Sequence, residues 1–266
     1  MDLVSQLRTS LAAQSLPPAS TSFLTTLISA RTPPPPTASL LATAKARLLA
    51  CDLTEGNGAT TTTTTTTTTS ILDADAVAAF PVDVGSARVE KRTLPRDVHV
   101  QVLDVENLSL SRWEQVEELE AVERGERRQG REVIRVTADE EGQGGEEEHG
   151  SSSSSSRAAG TQGSGPSGAQ QATAARNAVH RLVLQDCKGQ TVYAVEMKRM
   201  DSIGIGKTGI GEKMLLRAGS VVARGSVLLT PDKTVFLGGK VESWHDAWAT
   251  GRLARLKAAV GADRPQ

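Results

Sequence analysis

Aromatic residues are scarce in this sequence, which has three tryptophans, one tyrosine and three phenylalanines among 266 residues. Proteins that hold single-stranded nucleic acid usually stack bases on exposed rings, at about 1–3 kcal/mol per base. Trp244 and Trp248 have the spacing of a buried helix face, and Phe236 lies between apolar neighbours in a strand. Within the basic C-terminal part of the chain, residues 176–266, only Tyr193 is left as an exposed platform, so we do not expect strong strand binding by this chain alone.

Cysteines and long apolar runs are also few. Cys51 and Cys187 have no Cys or His beside them at metal-ligand spacing, which predicts two free thiols and no zinc site. No stretch approaches the ~20 apolar residues of a membrane span. The first residues lack the basic start and apolar run of a secretory signal. We therefore expect an intracellular, reduced compartment and no membrane association.

The net charge of −1 conceals an asymmetry. Residues 112–150 contain 13 acidic and 6 basic side chains, a balance of −7, whereas residues 176–266 contain 8 acidic and 15 basic ones, a balance of +7. A basic module can attract nucleic acid or an acidic partner, and an acidic tract can shield it. The alternative interpretation is that both charged segments are ordinary solvated surfaces without a binding role.

Low-complexity sequence divides the chain. Ten threonines run from Thr60 to Thr69 and six serines from Ser151 to Ser156, and such tracts lack the apolar side chains that offset the entropy of ordering. We predict an N-terminal helical region at 1–55, a threonine-rich linker at 56–70, and a third region at 71–266 that carries a disordered insertion at about 111–176.

Apolar spacing predicts three helices in the first region. Leu3, Leu7 and Leu11 recur at i+4, and Phe23 to Ile28 form a second short apolar stretch. The third helix is predicted to be capped by the Thr37 hydroxyl, with its apolar stripe between Leu40 and Leu49.

Alternating patterns predict five strands in the third region. They are DVHVQVLDVEN, HRLVLQD, TVYAVEMK, SVVARGSVLLT and TVFLGGKVE, and Gly225 is predicted to kink the fourth. A closing helix is predicted from Ser243, with a capping box to Asp246 and an end at Gly261. Five short, bent strands and one flanking helix favour a Greek-key barrel of the OB-fold type.

The stretch RMDSIGIGKTGIGEKM contains a Gly-Lys-Thr triplet at 206–208. A phosphate-binding loop needs a glycine four residues before its Gly-Lys pair, and Asp201 stands there, where its carboxylate would repel phosphate. Gly209 and Gly211 weaken any following helix. We interpret the stretch as a flexible glycine-rich connection between strands; an NTPase that uses Lys207 is the alternative.

No catalytic signature is present elsewhere. The histidines at 99, 149, 180 and 245 lie in different segments, and none stands beside a nucleophile in a recognised pattern. We therefore expect no enzymatic activity, no cofactor and no metal.

Three stretches resemble the OB-fold core of the RecQ-mediated genome instability protein 1 family: YAVEMKRMDSI, LRAGSVVARGSVLLTPDKTVFLGGKVE and SWHDAW. The resemblance covers Val179 to Trp248 well, and the N-terminal helices more weakly. Relatives often read Pro-Pro-Gly-Thr-Lys where this chain has Arg217 to Val221.

The resemblance implies a noncatalytic nuclear subunit that binds topoisomerase III, a type IA enzyme, and a RecQ-type helicase. It implies a role in dissolving double Holliday junctions, with the insertion reaching toward the topoisomerase gate and DNA contacted mainly through the complex. The partner-binding residues expected are Trp113, Val116, Leu119, Ile134, Arg217 and Val221. A module that binds single-stranded DNA is the alternative, with contacts expected at Tyr193, Lys198, Arg199 and Lys207.

Overall fold

The computed structural model describes residues 2–54, 70–125 and 178–261. The predicted threonine linker, most of the predicted insertion and the site residue Ile134 lie outside these ranges. The described residues form three N-terminal helices, one curled sheet and two further helices that pack against each other. Within these ranges no helix combines the length and the apolar character needed to cross a membrane.

The N-terminal helices are α1 (Leu3–Ala13), α2 (Thr21–Ser29) and α3 (Thr37–Ala50), which confirms the three predicted helices. Their apolar faces form one core, which includes Leu7, Leu11, Phe23, Leu24, Leu40, Ala44 and Leu48. The predicted Thr37 cap is wrong. Pro36 is the N-cap, and its carbonyl accepts from Leu40 N at 3.1 Å, so the helix begins one residue earlier than a threonine cap requires.

The sheet contains eight strands: β1 (Lys91–Thr93), β2 (Val98–Asn107), β3 (His180–Asp186), β4 (Thr191–Glu196), β5 (Lys213–Leu216), β6 (Val221–Ala223), β7 (Ser226–Leu229) and β8 (Thr234–Gly238). Their spatial order is β1-β6-β7-β4-β3-β2-β5-β8. The pairing of β4 with β7 is parallel, and the other pairings are antiparallel.

The long strand β2, which has a neighbour on each side, bends the sheet. β2 pairs with β3 along most of its length and with β5 at its beginning, and its register with β3 shifts between Val102 and Asp104. Such an irregularity bends a strand and increases its twist. Val98, Val100 and Val102 are fully buried, as their alternation predicted. They form the centre of the sheet's own core, which Phe236, Trp244 and Trp248 cover from the side.

The prediction of five strands was too low. The SVVARGSVLLT stretch is not one kinked strand, because Arg224 and Gly225 have φ of 48° and 77° and reverse the chain in a tight turn between β6 and β7. The short strands β1 and β5 were not predicted. The chain turns between β3 and β4 at Gly189, whose φ is 80°.

Two further helices are α4 (Arg112–Glu123) and α5 (Glu242–Val260). Gly261 ends α5 with a φ of 72°, as predicted. The predicted capping box from Ser243 to Asp246 is wrong. α5 begins at Glu242 after Val241, whose amide donates to Ile210 O at 3.0 Å and whose carbonyl accepts from His245 N at 3.0 Å.

Polar contacts join the helical bundle to the sheet. The Gln101 side chain accepts from Leu53 N at 3.0 Å and donates to Asp52 Oδ1 at 2.6 Å. His99 Nε2 donates to Ser15 O at 2.9 Å. Bundle and sheet therefore meet at the beginning of β2, at the opposite end from the insertion.

Candidate interaction surface

The insertion leaves and rejoins the sheet at a single rung. Asn107, the last residue of β2, is paired with His180, the first of β3. Beyond that rung, Leu108 N donates to Val179 O at 2.8 Å and Val179 N donates to Ser109 Oγ at 2.9 Å. The two ends of the insertion are thus held together by the sheet itself.

A well-capped helix follows at once. Ser111 Oγ accepts from Glu114 N at 3.2 Å, and Glu114 Oε2 accepts from Ser111 N at 2.7 Å, which is a complete capping box. This pairing lowers the pKa of the Glu114 carboxyl, because the hydrogen bonds favour its charged form. α4 therefore has a fixed beginning.

Side chains of α4 bind it to the sheet and to α5. The buried Gln115 donates to Asn107 O and to Leu110 O, both at 3.1 Å, and accepts from Arg252 Nη2 at 3.2 Å. At the next turns, Lys257 Nζ lies 2.9 Å from Glu120 Oε1 and lowers the pKa of that carboxyl. Neither Gln115 nor Arg252 was predicted from the sequence, because a polar side chain that faces a helix partner has no distinctive pattern.

The predicted partner-binding residues of α4 differ in exposure. Trp113 is 56% exposed and Val116 is 2% exposed, while Leu119 is half-buried. Val116 therefore packs beneath the helix, and Trp113 is available to another molecule.

The outward face of the sheet carries a second apolar area, here called the outer sheet face, consisting of Val183, Tyr193, Val195, Val221 and Leu228. The register aligns Val221 with Leu228, Leu228 with Val195, and Tyr193 with Val183. Tyr193 is 48% exposed, and the other four are half-buried. The predicted residues Tyr193 and Val221 thus belong to one surface.

One side of the Tyr193 ring is occupied. The Arg181 guanidinium lies 4.6 Å from the ring centroid, and its Nε donates to Glu106 Oε2 at 2.7 Å. Arg181 was not among the predicted site residues, although strand alternation beside the buried His180 and Leu182 could have placed it outside. A base could stack only on the remaining side of this ring.

Two of the three basic residues predicted to contact nucleic acid are engaged within the chain. Arg199 Nη1 donates to Ala178 O at 2.7 Å, and Lys207 Nζ donates to Asp201 O at 3.2 Å. Asp201 Oδ1 also lies 4.0 Å from Arg199 Nε. Asp201 therefore contacts both Arg199 and Lys207. Lys198 is exposed.

Arg217 is exposed at the start of the turn that leads to Val221. Its amide donates to Lys233 O at 2.9 Å, and its carbonyl accepts from Ser220 Oγ at 2.7 Å. The backbone of this turn is therefore held, while the Arg217 side chain extends from the sheet.

The Gly-Lys-Thr stretch forms an internally bonded loop. Thr208 is buried, its hydroxyl donates to Ser202 O at 3.2 Å and accepts from Gly204 N at 3.1 Å. No helix begins at Gly206, and β5 follows at Lys213. The phosphate-loop geometry is therefore missing here, in agreement with the interpretation as a strand connection.

The buried His180 and Asp186 side chains have structural partners. His180 Nδ1 lies 2.9 Å from Glu196 Oε1, and Asp186 accepts from three backbone amides. Among the residues described, no group of three or more His, Cys, Asp or Glu could hold a metal ion.

Two family models match this arrangement. The model of the RMI1 N-terminal OB-fold domain matches residues 71–252, and that of the RMI1 N-terminal helical domain matches residues 11–55. The chain belongs to the RMI1 family. The predicted family and the OB-fold are thereby confirmed, and in RMI1 terms the curled sheet with its insertion is the OB-fold domain.

One curated RMI1 relative adds to this assignment. The chain is 29% identical over 157 residues to the RecQ-mediated genome instability protein 1 of Schizosaccharomyces pombe. The matched stretch covers 58% of this chain and 60% of that protein, so the chain spans about 60% of the length of this relative.

Proposed function

We propose that this protein is a noncatalytic subunit of a nuclear RecQ helicase–topoisomerase III complex, in which it stimulates decatenation and the dissolution of double Holliday junctions. The observation that carries the proposal is the RMI1 OB-fold match over residues 71–252, with a long insertion set between two paired strands. In this role the protein binds topoisomerase III and a RecQ-type helicase, and contacts DNA mainly through them.

The base of the insertion supports a role in positioning. Its two ends meet at the rung of Asn107 and His180, and α4 is fixed by Gln115 and by the ion pair of Glu120 with Lys257. A segment attached to such a base can reach a moving partner while its origin stays still. This is what a subunit that modulates strand passage requires.

The exposed ring of Trp113 is the strongest single candidate for a partner contact. Tryptophan is enriched among interface residues whose truncation costs at least 2 kcal/mol, and this one stands 56% exposed on the fixed helix. The half-buried Leu119 and the outer sheet face add apolar area. Arg217 and Val221 remain predicted contacts at the edge of that face.

Co-elution with the cognate topoisomerase III and a decatenation assay test the proposal. The intact chain is compared with a variant in which residues 126–177 are replaced by a short Gly/Ser linker, which leaves all of α4 in place. We expect the variant to bind but not to stimulate. In the intact chain, Trp113→Ala should weaken binding about tenfold or more, while Glu117→Ala, an exposed position on the same helix, should not.

Absence of a stable complex between the intact chain and topoisomerase III would contradict the proposal. Full stimulation by the variant without residues 126–177 would contradict the part assigned to the insertion.

A second candidate, a module that binds single-stranded DNA directly, is favoured by the exposure of Tyr193 beside the cationic Arg181. Its test is a salt titration of binding to a labelled oligonucleotide. Submicromolar affinity that is lost in Tyr193→Ala would support it.

A further inference from the structure

A hollow of about 370 Å³ lies in the helical bundle, and residues between Leu27 and Arg47 line it. Leu27 and Arg31 line it from α2 and the segment after it, Pro35 from the connection, and Leu40, Thr43 and Arg47 from α3. We call this hollow the α2–α3 groove. Its walls combine apolar side chains with the hydroxyls of Ser39 and Thr43, and it carries two guanidinium groups.

The groove continues past Arg47. A second hollow of about 440 Å³ shares that residue and extends between the end of α3 and the beginning of α5, where Ile71 and Trp244 supply apolar walls. The lining positions Ser39, Thr43, Arg47 and Ala50 form one stripe of α3, which rises about 17 Å over these residues. This length matches about five residues of extended peptide.

The two arginines lack partners within the described part of the chain, where no carboxylate lies within 4 Å of either guanidinium and neither donates a hydrogen bond. Both side chains are exposed. The bundle as a whole is cationic, since residues 2–54 contain four basic and two acidic side chains. One of the acids, Asp52, is already engaged by Gln101 and by Thr54 N.

From these observations we infer that the α2–α3 groove binds an acidic peptide segment of another protein. Carboxylates of the segment pair with Arg31 and Arg47, for which planar bidentate geometry is favourable. Small apolar side chains of the segment pack on Leu27, Pro35 and Leu40. This inference does not depend on binding of topoisomerase III by the insertion.

Nucleic acid fits the groove less well than such a peptide. A phosphate backbone would find only two cations along the stripe, and Trp244, the one aromatic side chain that lines either hollow, is partly buried and lies beyond both arginines. A peptide that alternates acidic and apolar side chains uses both features.

The experiment selects peptides from a random 12-residue display library on the full-length chain, with counter-selection on a Thr43→Trp variant, whose indole would fill the groove. Enriched sequences should combine at least two acidic residues with Leu, Ile or Val. A labelled synthetic copy of one such sequence is then titrated by fluorescence anisotropy.

Arg47→Gln should weaken this peptide about fivefold, and the double variant Arg31→Gln, Arg47→Gln more than tenfold. Lys45→Gln is the matched control, because Lys45 lies on the same helix with the same charge but donates to Gln14 Oε1 at 3.0 Å, outside the groove. It should leave the affinity within twofold. Circular dichroism of each variant confirms that the bundle is folded.

Four results would overturn the inference. One is enrichment of sequences without acidic residues, and another is equal binding by the double variant. The third is a peptide that binds only after residues 132–148 are deleted, since the acidic tract of the chain itself would then be the occupant. The fourth is binding of a labelled 20-nucleotide strand by the intact chain but not by the double variant. The ligand of the groove would then be a phosphate backbone and not a peptide.

Discussion

Gly238 and Gly239, at the end of β8, are adjacent glycines with the same backbone conformation and different surroundings. Their φ values are 82° and 81°, a region in which a side chain costs roughly 1–2 kcal/mol. A Cβ at Gly238 would meet no atom within 4 Å, whereas one at Gly239 would lie 2.5 Å from Leu49 O. Gly239 is thus the point at which the sheet touches the backbone of α3.

The pair provides a prediction with an internal control. Gly238→Ala should destabilise the protein by about 1 kcal/mol through backbone strain alone. Gly239→Ala should cost about 3 kcal/mol or more, because α3 must also move away. Urea unfolding of both variants measures the difference. Equal losses of unfolding free energy would show that α3 can move away from residue 239 without cost.

His99 makes stability depend on pH. Burial lowers its pKa, although the bond to Ser15 O and the nearby Asp97 oppose the shift. In the unfolded chain the histidine pKa is about 6.5, so the unfolded state takes up a proton at a higher pH than the folded state does. The contribution of His99 is fully present above that pKa and is lost as the pH falls through it.

We predict that His99→Gln, which can still donate to Ser15 O, is destabilised less than the wild type when the pH falls from 7.5 to 5.5. The quantity to compare is the difference in unfolding free energy at each pH, since Glu212, whose pKa is raised by burial, contributes the opposite slope to both proteins. A constant difference across this range would contradict the assignment.

The helices α4 and α5 depend on each other. α5 has no fully buried residue of its own, but Trp248 Nε1 donates to Asp104 Oδ1 at 2.6 Å at the irregularity of β2, and Arg252 and Lys257 bind α4. Burial also lowers the pKa of Arg252, and the negative charges of Glu118 and Asp104 oppose this shift. The pair is therefore one unit fixed to the sheet at Trp248.

Gln115→Ala should loosen this unit. It removes three hydrogen bonds and leaves two backbone carbonyls without their donor, at a local cost of about 1–3 kcal/mol. Hydrogen exchange in residues 112–123 should accelerate by about tenfold while the sheet is unchanged, and stimulation of decatenation should fall. Glu117→Ala, exposed on the same helix, should change neither; unaltered exchange in Gln115→Ala would show that the capping box alone holds α4.

Apolar periodicity located the elements better than it located their ends. The three N-terminal helices and the buried face of β2 follow directly from spacing. The start of α3 and the start of α5 do not, because backbone carbonyls of Pro36 and Val241 cap these helices and leave no side-chain signal. Gly225 was misread because a glycine in a strand pattern indicates either a kink or a turn, and only the pairing of β6 with β7 decides between them.

The site shows the same division. Tyr193 was predicted as an exposed ring, and Trp113 was predicted as a partner contact with the family resemblance; both are exposed in the structure. Arg181, Gln115 and Arg252 act through contacts with residues distant in the chain, so sequence order did not reveal them. Arg199 and Lys207 stay predicted contacts for nucleic acid, and the sequence did not reveal that both donate to backbone carbonyls of the chain.

At the scale of the whole molecule, the bundle and the sheet have separate cores but share Gln101. This fully buried side chain satisfies Leu53 N and Asp52 from the bundle and Gln185 from the sheet. Removing one partner from such a network leaves buried polar groups without hydrogen bonds, which costs more than the bond itself contributed.

Gln101→Ala should therefore separate the unfolding of the two cores. Calorimetry of the wild type should show one transition, and the variant should show the bundle melting first. Gln190→Ala is the comparison, because Gln190 donates to Pro81 O and Val82 O within the sheet region; it should lower the midpoint without splitting the peak. A single peak for Gln101→Ala would mean that Gly239 and His99 suffice to couple the cores.

The closed rung at Asn107 and His180 has a consequence for how this chain can change over time. For any flexible segment whose two ends are held at such a rung, a doubling of length costs only about 0.6 kcal/mol in loop entropy. Insertions, deletions and changes of composition in such a segment therefore change the free energy of folding very little. Natural selection can therefore act on that segment through what it does for a partner, with little restraint from the scaffold that bears it.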